Sequence, residues 1–491
     1  MPKTQSIKKN FIMNAILSMS AFIFPLITFP YVSRILLPEG TGKVSFATSL
    51  ISYFAMFAQL GVPTYGIRAC ARVRDDREEL TKTVQELLII NLITSAIAYA
   101  VLAVLIFTVP RLADDKMLYV IVSLTIIFNT IGMEWLYKGL EQYTYITLRS
   151  IAFKFVSLIL MFMLVHAKSD YVIYGGITIF AASASGIMNF VHARKYIDFK
   201  PVGHYNFRRH LKAVLIFFAM SCATTIYTHL DTVMLGFMKT DVDVGYYNAA
   251  VKIKTVLVSV VTSLGAVLLP RASYYVEHGQ MDEFRRITTK AINFVFMVSV
   301  PLMVFFMIFA KEGIFFLSGS AYGGAIFPMQ LIMPTLLFIG LTNIMGIQVL
   351  VPLGREKIVL YSEIAGAVTD LVINALLIPK MASAGAAIGT VAAEGVVWLV
   401  QYYSLRKEIS HVYKSVNYGS ILGATALGGF LSFWMKKLPL SSLGTTLQSF
   451  VVIAAAAVIF FGIYIVILTV TKNPLALEVE RTALNKLKRK H

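Results

Sequence analysis

Fourteen apolar runs, each long enough to cross a bilayer, fill the chain from Phe11 to Thr471, and the segments between them alternate between strongly basic and nearly uncharged. A hydrocarbon core about 30 Å thick asks for roughly 20 apolar residues per helix. The runs fall near 10–33, 44–65, 84–109, 117–137, 146–166, 171–192, 211–236, 245–269, 289–310, 322–350, 357–378, 383–403, 417–435 and 447–471. Lipid satisfies no exposed backbone polar group, so these runs are expected to be helices and the chain an all-α integral membrane protein with fourteen transmembrane helices. Composition agrees: 57% of residues are hydrophobic and only 14% charged, with a mean hydropathy of +0.73.

The charges orient the chain. With a cytoplasmic N-terminus, one face holds both tails and every second loop, and carries 31 of the 44 Lys and Arg residues; the opposite face carries 10. Basic loops stay in the cytoplasm, so both termini are expected there. The net charge of +18 is then explained by loops that meet anionic lipid, and no soluble basic domain remains to bind nucleic acid. The N-terminus shows no signal-peptide cleavage pattern. Two cysteines, Cys70 and Cys222, supply neither a disulfide framework nor metal-ligand spacing. Walker, HExxH, CxxC and GxSxG patterns are absent, so a transporter without cofactor or metal is expected rather than an enzyme.

No loop exceeds roughly 20 residues. The longest connections, 66–83, 193–210 and 270–288, mix charges with periodic apolar residues and read as interfacial amphipathic helices. A repeat runs at an offset of about 203 residues. Gly42 and Ala47 match Gly245 and Ala250, Leu60-Gly61 matches Leu264-Gly265, and each is followed by a proline, Pro63 or Pro270. Arg194-Lys195 matches Arg406-Lys407. The repeat predicts an N-terminal six-helix bundle over 1–205, a second over 206–410, and helices 13 and 14 with a basic cytoplasmic tail over 411–491. Parallel repeats of this kind place a substrate cavity between two bundles.

Charges at membrane depth face a cavity or a partner. Lys252 and Lys254 lie in the eighth run, two residues apart and therefore on different faces; they are candidates for a phosphate site or for pairing with Asp231 or Asp243. Arg34 closes the first run after Pro25 and Pro30 and suits bidentate phosphate contact, or snorkels to the interface. Lys154 in the fifth run and Arg68 at the end of the second are further candidates, each with an ordinary reading as a snorkelling or orienting charge. Lys138 is placed to pair with Glu134 one turn earlier. Asp231, beside His229, and Asp370 and Glu394 near mid-membrane are candidates for ion coupling or for neutralising a buried lysine.

Several strings occur together and in order: Pro30-Tyr-Val-Ser-Arg34, Gly61-Val-Pro-Thr-Tyr-Gly-Ile-Arg68, Asp231-Thr-Val-Met-Leu-Gly236, Gly245-Tyr-Tyr-Asn-Ala-Ala-Val-Lys-Ile253 and Asn374-Ala-Leu-Leu-Ile-Pro379, followed by Gly385-Ala-Ala-Ile-Gly-Thr and Glu394. In this the chain resembles the polysaccharide repeat-unit flippases of the multidrug/oligosaccharidyl-lipid/polysaccharide exporter superfamily. The resemblance implies a V-shaped pair of bundles working by alternating access. It implies an undecaprenyl-diphosphate-linked oligosaccharide as substrate, moved to the outer leaflet for capsule, exopolysaccharide or O-antigen synthesis. It supports Arg34, Lys252 and Lys254 as the diphosphate's cations, with a polysaccharide polymerase and chain-length proteins as partners; the Asn374 to Glu394 string looks like a scaffold motif and adds little to a role for Glu394 in coupling to H+ or Na+. The alternative within the superfamily is a cation-coupled multidrug exporter, which would carry an acidic or aromatic cavity.

Overall fold

The computed structural model describes residues 7–438 and 444–473. It is 88% helical and contains no strand among the described residues. The basic tail expected beyond Lys472 and the N-terminal Lys3 lie outside them. The twenty α-helices among the described residues fall into two compact units, Met1–Gly245 and Tyr246–His491. By length and composition ten helical stretches reach across a bilayer, with an eleventh if the bent pair Ser320–Ile332 and Thr335–Leu350 counts as one. Large apolar side chains such as Phe107, Phe430 and Val458 are about three-quarters exposed, the pattern of surfaces that face lipid.

Helix α1 (Ile7–Gln59) carries the first two apolar runs. The short loop expected between them is instead a single-residue break at Leu37, with φ 58° and ψ −178°. Pro38 favours the break: its ring disfavours a helical residue before it, and it has no N–H to close the turn. Leu60 and Gly61, both with positive φ, end α1, and α2 (Val62–Arg72) restarts with Pro63 in its first turn. The repeat partner behaves alike: α11 (Asp241–Thr262) stops, Ser263 and Leu264 intervene, and α12 (Gly265–Glu277) follows with Pro270 inside it. The two amphipathic stretches are therefore helical, as expected. Asp76 caps α3 (Arg77–Thr108) by accepting from the amides of Glu78 and Glu79.

The connector 193–210 differs from expectation. No helix forms between Arg194 and Arg208. Its backbone is instead taken up by side chains of α3. Gln85 Nε2 donates to the carbonyls of Asp198 and Lys200, both at 2.8 Å, and Gln85 Oε1 accepts from the Val202 amide and the Tyr205 hydroxyl. Satisfying backbone groups this way removes the need for a helical ladder.

Within the first unit, α5 (Lys116–Gly132), α6 (Glu134–Gly139), α7 (Tyr143–Leu164), α8 (Tyr171–Ile179) and α9 (Ser185–Ala193) close the bundle around α1. Gly132 meets Gly186 backbone to backbone, with a π-helical turn at Phe180–Ala184 just before α9. Small residues let helices approach where lipid offers no hydrophobic drive. Helix α10 (Arg208–Met238) packs on α1 and α2 in this same unit. The second unit holds α13 (Met281–Ile308), the tight hairpin of α17 (Glu356–Met381) and α18 (Ser383–Lys414), and the pair α19 (Tyr418–Phe433) and α20 (Thr445–Val470).

Candidate functional site

The first unit has a basic end, with Arg68, Arg74 and Arg77, and a sparsely charged end. At the sparsely charged end the two repeat glycines meet. A Cβ on Gly42 would overlap the Asp241 carbonyl, and a Cβ on Gly245 would overlap the carbonyl of Pro38. Only glycine allows this approach. Around that contact stand two ion pairs. Arg111, in the short helix α4 (Pro110–Ala113), donates to both carboxylate oxygens of Asp241, at 3.1 and 2.5 Å, and through Nε to the carbonyl of Gly236 at 3.1 Å. Its guanidinium also covers the Phe46 ring. Lys43 binds Asp115 at 3.1 Å, and the Tyr171 hydroxyl donates to the same carboxylate at 2.6 Å. Bidentate Arg–carboxylate pairs are the strongest of their kind. Sequence reading passed over these four charges as loop residues. A signal existed for two of them: Lys43 and Asp241 fall within four residues of the repeat glycines Gly42 and Gly245, whereas Arg111 and Asp115 carry no such mark.

Arg34 lies one turn before the Leu37 break, half-buried, and its Nη1 donates to the carbonyl of Pro30. The proline-rich turn thus holds the guanidinium along the helix. Lys252 is exposed and Lys254 half-buried on α11, separated by the buried Ile253. Neither lysine forms an ion pair among the described residues, so the paired alternative is not seen. Lys154 is committed elsewhere: its ammonium donates to Ser20 Oγ on α1 at 2.8 Å. Arg68 projects from α2 into the exposed surface. The predicted Glu134–Lys138 pair is present at 2.8 Å.

The acids divide between the units. Asp231 on α10 is 6% exposed in the first unit, and the neighbouring His229 Nδ1 lies 3.2 Å from Ser49 Oγ. Asp370 and Glu394, 2% and 7% exposed, belong to the α17–α18 hairpin of the second. Asn374 Nδ2 donates to Asp370 Oδ1 at 3.1 Å. Gly389 sits directly against Asn374 and Asp370, which sets the hairpin's register. One turn before Glu394, Thr390 meets the Tyr247 hydroxyl at 2.9 Å. Asp370 and Asn374 thus form a buried, oxygen-rich patch against Gly389, with the buried Glu394 five residues further along α18. Such a patch can hold a proton or a small hard cation. No group of three or more His, Cys, Asp or Glu side chains converges among the described residues.

At the basic end, a second network ties the connector down. The Arg77 guanidinium binds both oxygens of Asp198 and holds that carboxyl below the usual carboxylate range. Fully buried Glu86 accepts from the Asn206 amide and from Arg209 and His210.

With these features in place, the chain can be set beside known proteins. The family model described as polysaccharide biosynthesis protein matches residues 7–276. A protein of Escherichia coli strain K12 called "Putative O-antigen transporter" is 25% identical over 394 residues, 80% of this chain and 95% of that protein. A Shigella dysenteriae protein of the same name is 24% identical over 74% of this chain and 91% of its own length. Among solved structures, "Lipid II flippase MurJ, inward closed conformation" superposes with a TM-score of 0.71, covering 94% of this chain and 99% of that one at 15% identity. At that identity the likeness concerns the fold.

Proposed function

The chain belongs to the polysaccharide biosynthesis protein family, and from that premise we propose that it flips undecaprenyl-diphosphate-linked oligosaccharide repeat units from the cytoplasmic to the outer leaflet. It is a multi-pass membrane transporter with a flippase fold. The proposed setting is the bacterial inner membrane, with the basic end and both termini in the cytoplasm. The proposed product enters cell-surface polysaccharide synthesis, alongside a polymerase and chain-length proteins.

The observation that carries the substrate class is the pair of lysines on α11. A lipid diphosphate brings about two negative charges, which must be met by cations wherever water is excluded. Lys252 and Lys254 make no ion pair among the described residues, so both charges remain for substrate. Arg34 supplies a third cation beside a helix break, with its fork suited to phosphate. Lys154 and Arg68 are weaker contributors, the first because Ser20 already holds it. An exporter of cationic drugs would need acids beside the α11 lysines.

Movement follows alternating access between two repeat-related bundles, 1–205 and 206–410, with helices 13 and 14 appended. The Gly42–Gly245 contact and the Arg111–Asp241 pair tie α1 and α4 to the start of α11 and must part when substrate leaves outward. The Asp370–Glu394 patch, and separately Asp231, are the candidates for binding H+ or Na+ and so coupling the cycle.

Replacing Lys252 and Lys254 together by Ala tests the site. Loss of surface polymer, with the protein still inserted in the membrane at normal level, is the expected result. Normal export by the double variant would overturn the proposed phosphate site.

A further inference from the structure

Span four is broken at Met133, a fully buried residue in the left-handed region with φ 39° and ψ 43°. A bulky residue held there costs backbone energy and marks switch and binding regions. Helix α6 restarts at the next residue, Glu134, whose carboxylate stands between two cations. Lys138 Nζ is 2.8 Å away and Arg149 Nη2 is 3.8 Å away. The lysine thus holds the carboxylate, and the arginine receives a long, single contact.

Arg149 is the stranded partner. It is 6% exposed, on α7 about 9 Å from that helix's basic end. Its Nε and Nη1 are buried and find no acceptor among the described residues. The guanidinium lies 5.7 Å from the Tyr145 ring, and Tyr145 stacks on His192 at 4.3 Å, whose own Nδ1 is also buried with no hydrogen-bond partner among the described residues. An arginine keeps its charge even here, and its five N–H groups point in fixed directions. The aromatic wall fixes the guanidinium's position while supplying no oxygen to its outer edge. The group count is unbalanced too: Glu134, Lys138 and Arg149 sum to one positive charge. What fits the free edge is an oxyanion with two oxygens at guanidinium spacing and a single negative charge. The site lies nearest solvent on the Glu134 side, where that side chain is 45% exposed while that of Arg149 is 3% exposed. Glu134 therefore stands at the mouth as a resident competitor.

We propose that Arg149, behind the Glu134 gate at the break of span four, is a binding site for a phosphate group, taken either from an anionic lipid headgroup or from soluble phosphate. This site is separate from the α11 lysines and does not depend on the transport reading.

The test uses the purified full chain in phosphatidylcholine nanodiscs, with thermal unfolding as the readout. Inorganic phosphate is titrated in one arm; in the other, phosphatidylglycerol is added to the disc without free phosphate. The expected result is stabilisation in at least one arm that Arg149→Lys abolishes, because an ammonium cannot reproduce the two-pronged contact. A response to phosphatidylglycerol alone assigns the lipid headgroup, and a response to phosphate alone assigns the soluble ion. No response in either arm overturns the site. So does an equal response of wild type and Arg149→Lys, which general salt exclusion would produce. Should Arg149→Lys fail to fold, Glu134→Gln decides: removing the competing charge should bring the response on at lower ligand, and an unchanged or weaker response sinks the proposal.

Discussion

The Glu86 carboxylate, with none of its surface exposed, accepts from His210 Nε2 at 2.7 Å although 124 residues separate the two. The same carboxylate takes the Asn206 amide at 2.6 Å and Arg209 Nε at 2.8 Å, while His210 Nδ1 meets the Tyr65 hydroxyl at 2.9 Å. With Nε2–H turned to the carboxylate, Nδ1 accepts from the tyrosine. One acid thereby joins α2, α3, the connector and the start of α10. At α10's other end, Arg111 of α4 donates through Nε to the Gly236 carbonyl at 3.1 Å. Helix α10 is the first helix of the second half by the repeat, yet it is anchored at both ends within the first compact unit.

Glu86→Gln removes a charge that several donors converge on. Hydrogen bonds to a charged group contribute about 1.5–3 kcal/mol each, and Arg209 keeps Glu79 as a second partner. The expected loss is therefore about 2–3 kcal/mol, seen as a melting temperature several degrees lower in detergent. An unchanged melting curve would show that the network is not needed for stability.

Arg111→Ala leaves Asp241 without its bidentate partner, a change of the kind that costs about 3–5 kcal/mol in buried pairs. In a chain whose Cys70 and Cys222 are replaced by Ser, a cysteine at the buried Thr41 should resist a membrane-impermeant maleimide. The same cysteine should label readily once Arg111→Ala is added, if the pair holds the outer ends together. Exchanging the two charges, Arg111→Asp with Asp241→Arg, should restore protection.

Gly42→Val puts a branched side chain where even a Cβ would overlap the Asp241 carbonyl. Overpacking of this sort typically costs about 1–3 kcal/mol, and here it also wedges the repeat glycines apart. Surface polymer should fall sharply while Gly423→Val, whose Cβ meets nothing within 4 Å, leaves export intact. Equal export by both variants would remove any role for the glycine contact.

Asp370→Asn and Glu394→Gln keep shape but cancel the charges of the hairpin patch. Each should reduce export at least about tenfold at normal protein level if the patch couples an ion, a loss equal to roughly 1.4 kcal/mol of driving interaction. Full export by both variants excludes these acids from coupling.

The connector should respond to acid. Arg77 depresses the Asp198 carboxyl, so the tether is present above the usual carboxylate range, near about pH 4, and is lost as pH falls through the lower folded value. Protease cleavage within 194–207 should stay slow in wild type down to about pH 4 and rise only below it. Asp198→Asn should be cleaved faster throughout, and a wild-type rise already at neutral pH would contradict the tether.

Much of this architecture was legible along the chain. Run length set the helices, because a bilayer imposes one length on every span and leaves the backbone no alternative to internal hydrogen bonds. Proline and glycine marked the breaks at Leu37, Leu60-Gly61 and Leu264 for local steric reasons. The repeat glycines Gly42 and Gly245 stood out by spacing, though not the fact that they touch each other. The connector 193–210 misled, because charge periodicity cannot reveal that Gln85 and Glu86 will satisfy its backbone from more than 110 residues away.

Sequence alone determined the class, the helical segments and the basic-loop asymmetry, since each depends on neighbours within a few turns. The tertiary structure alone decided which charges are committed. Arg111 and Asp241 lie 130 residues apart, and Arg149 ends up buried with two nitrogens that meet no acceptor among the described residues. Pairing of that kind depends on the depth and rotation at which packed helices meet, and no local pattern encodes either quantity.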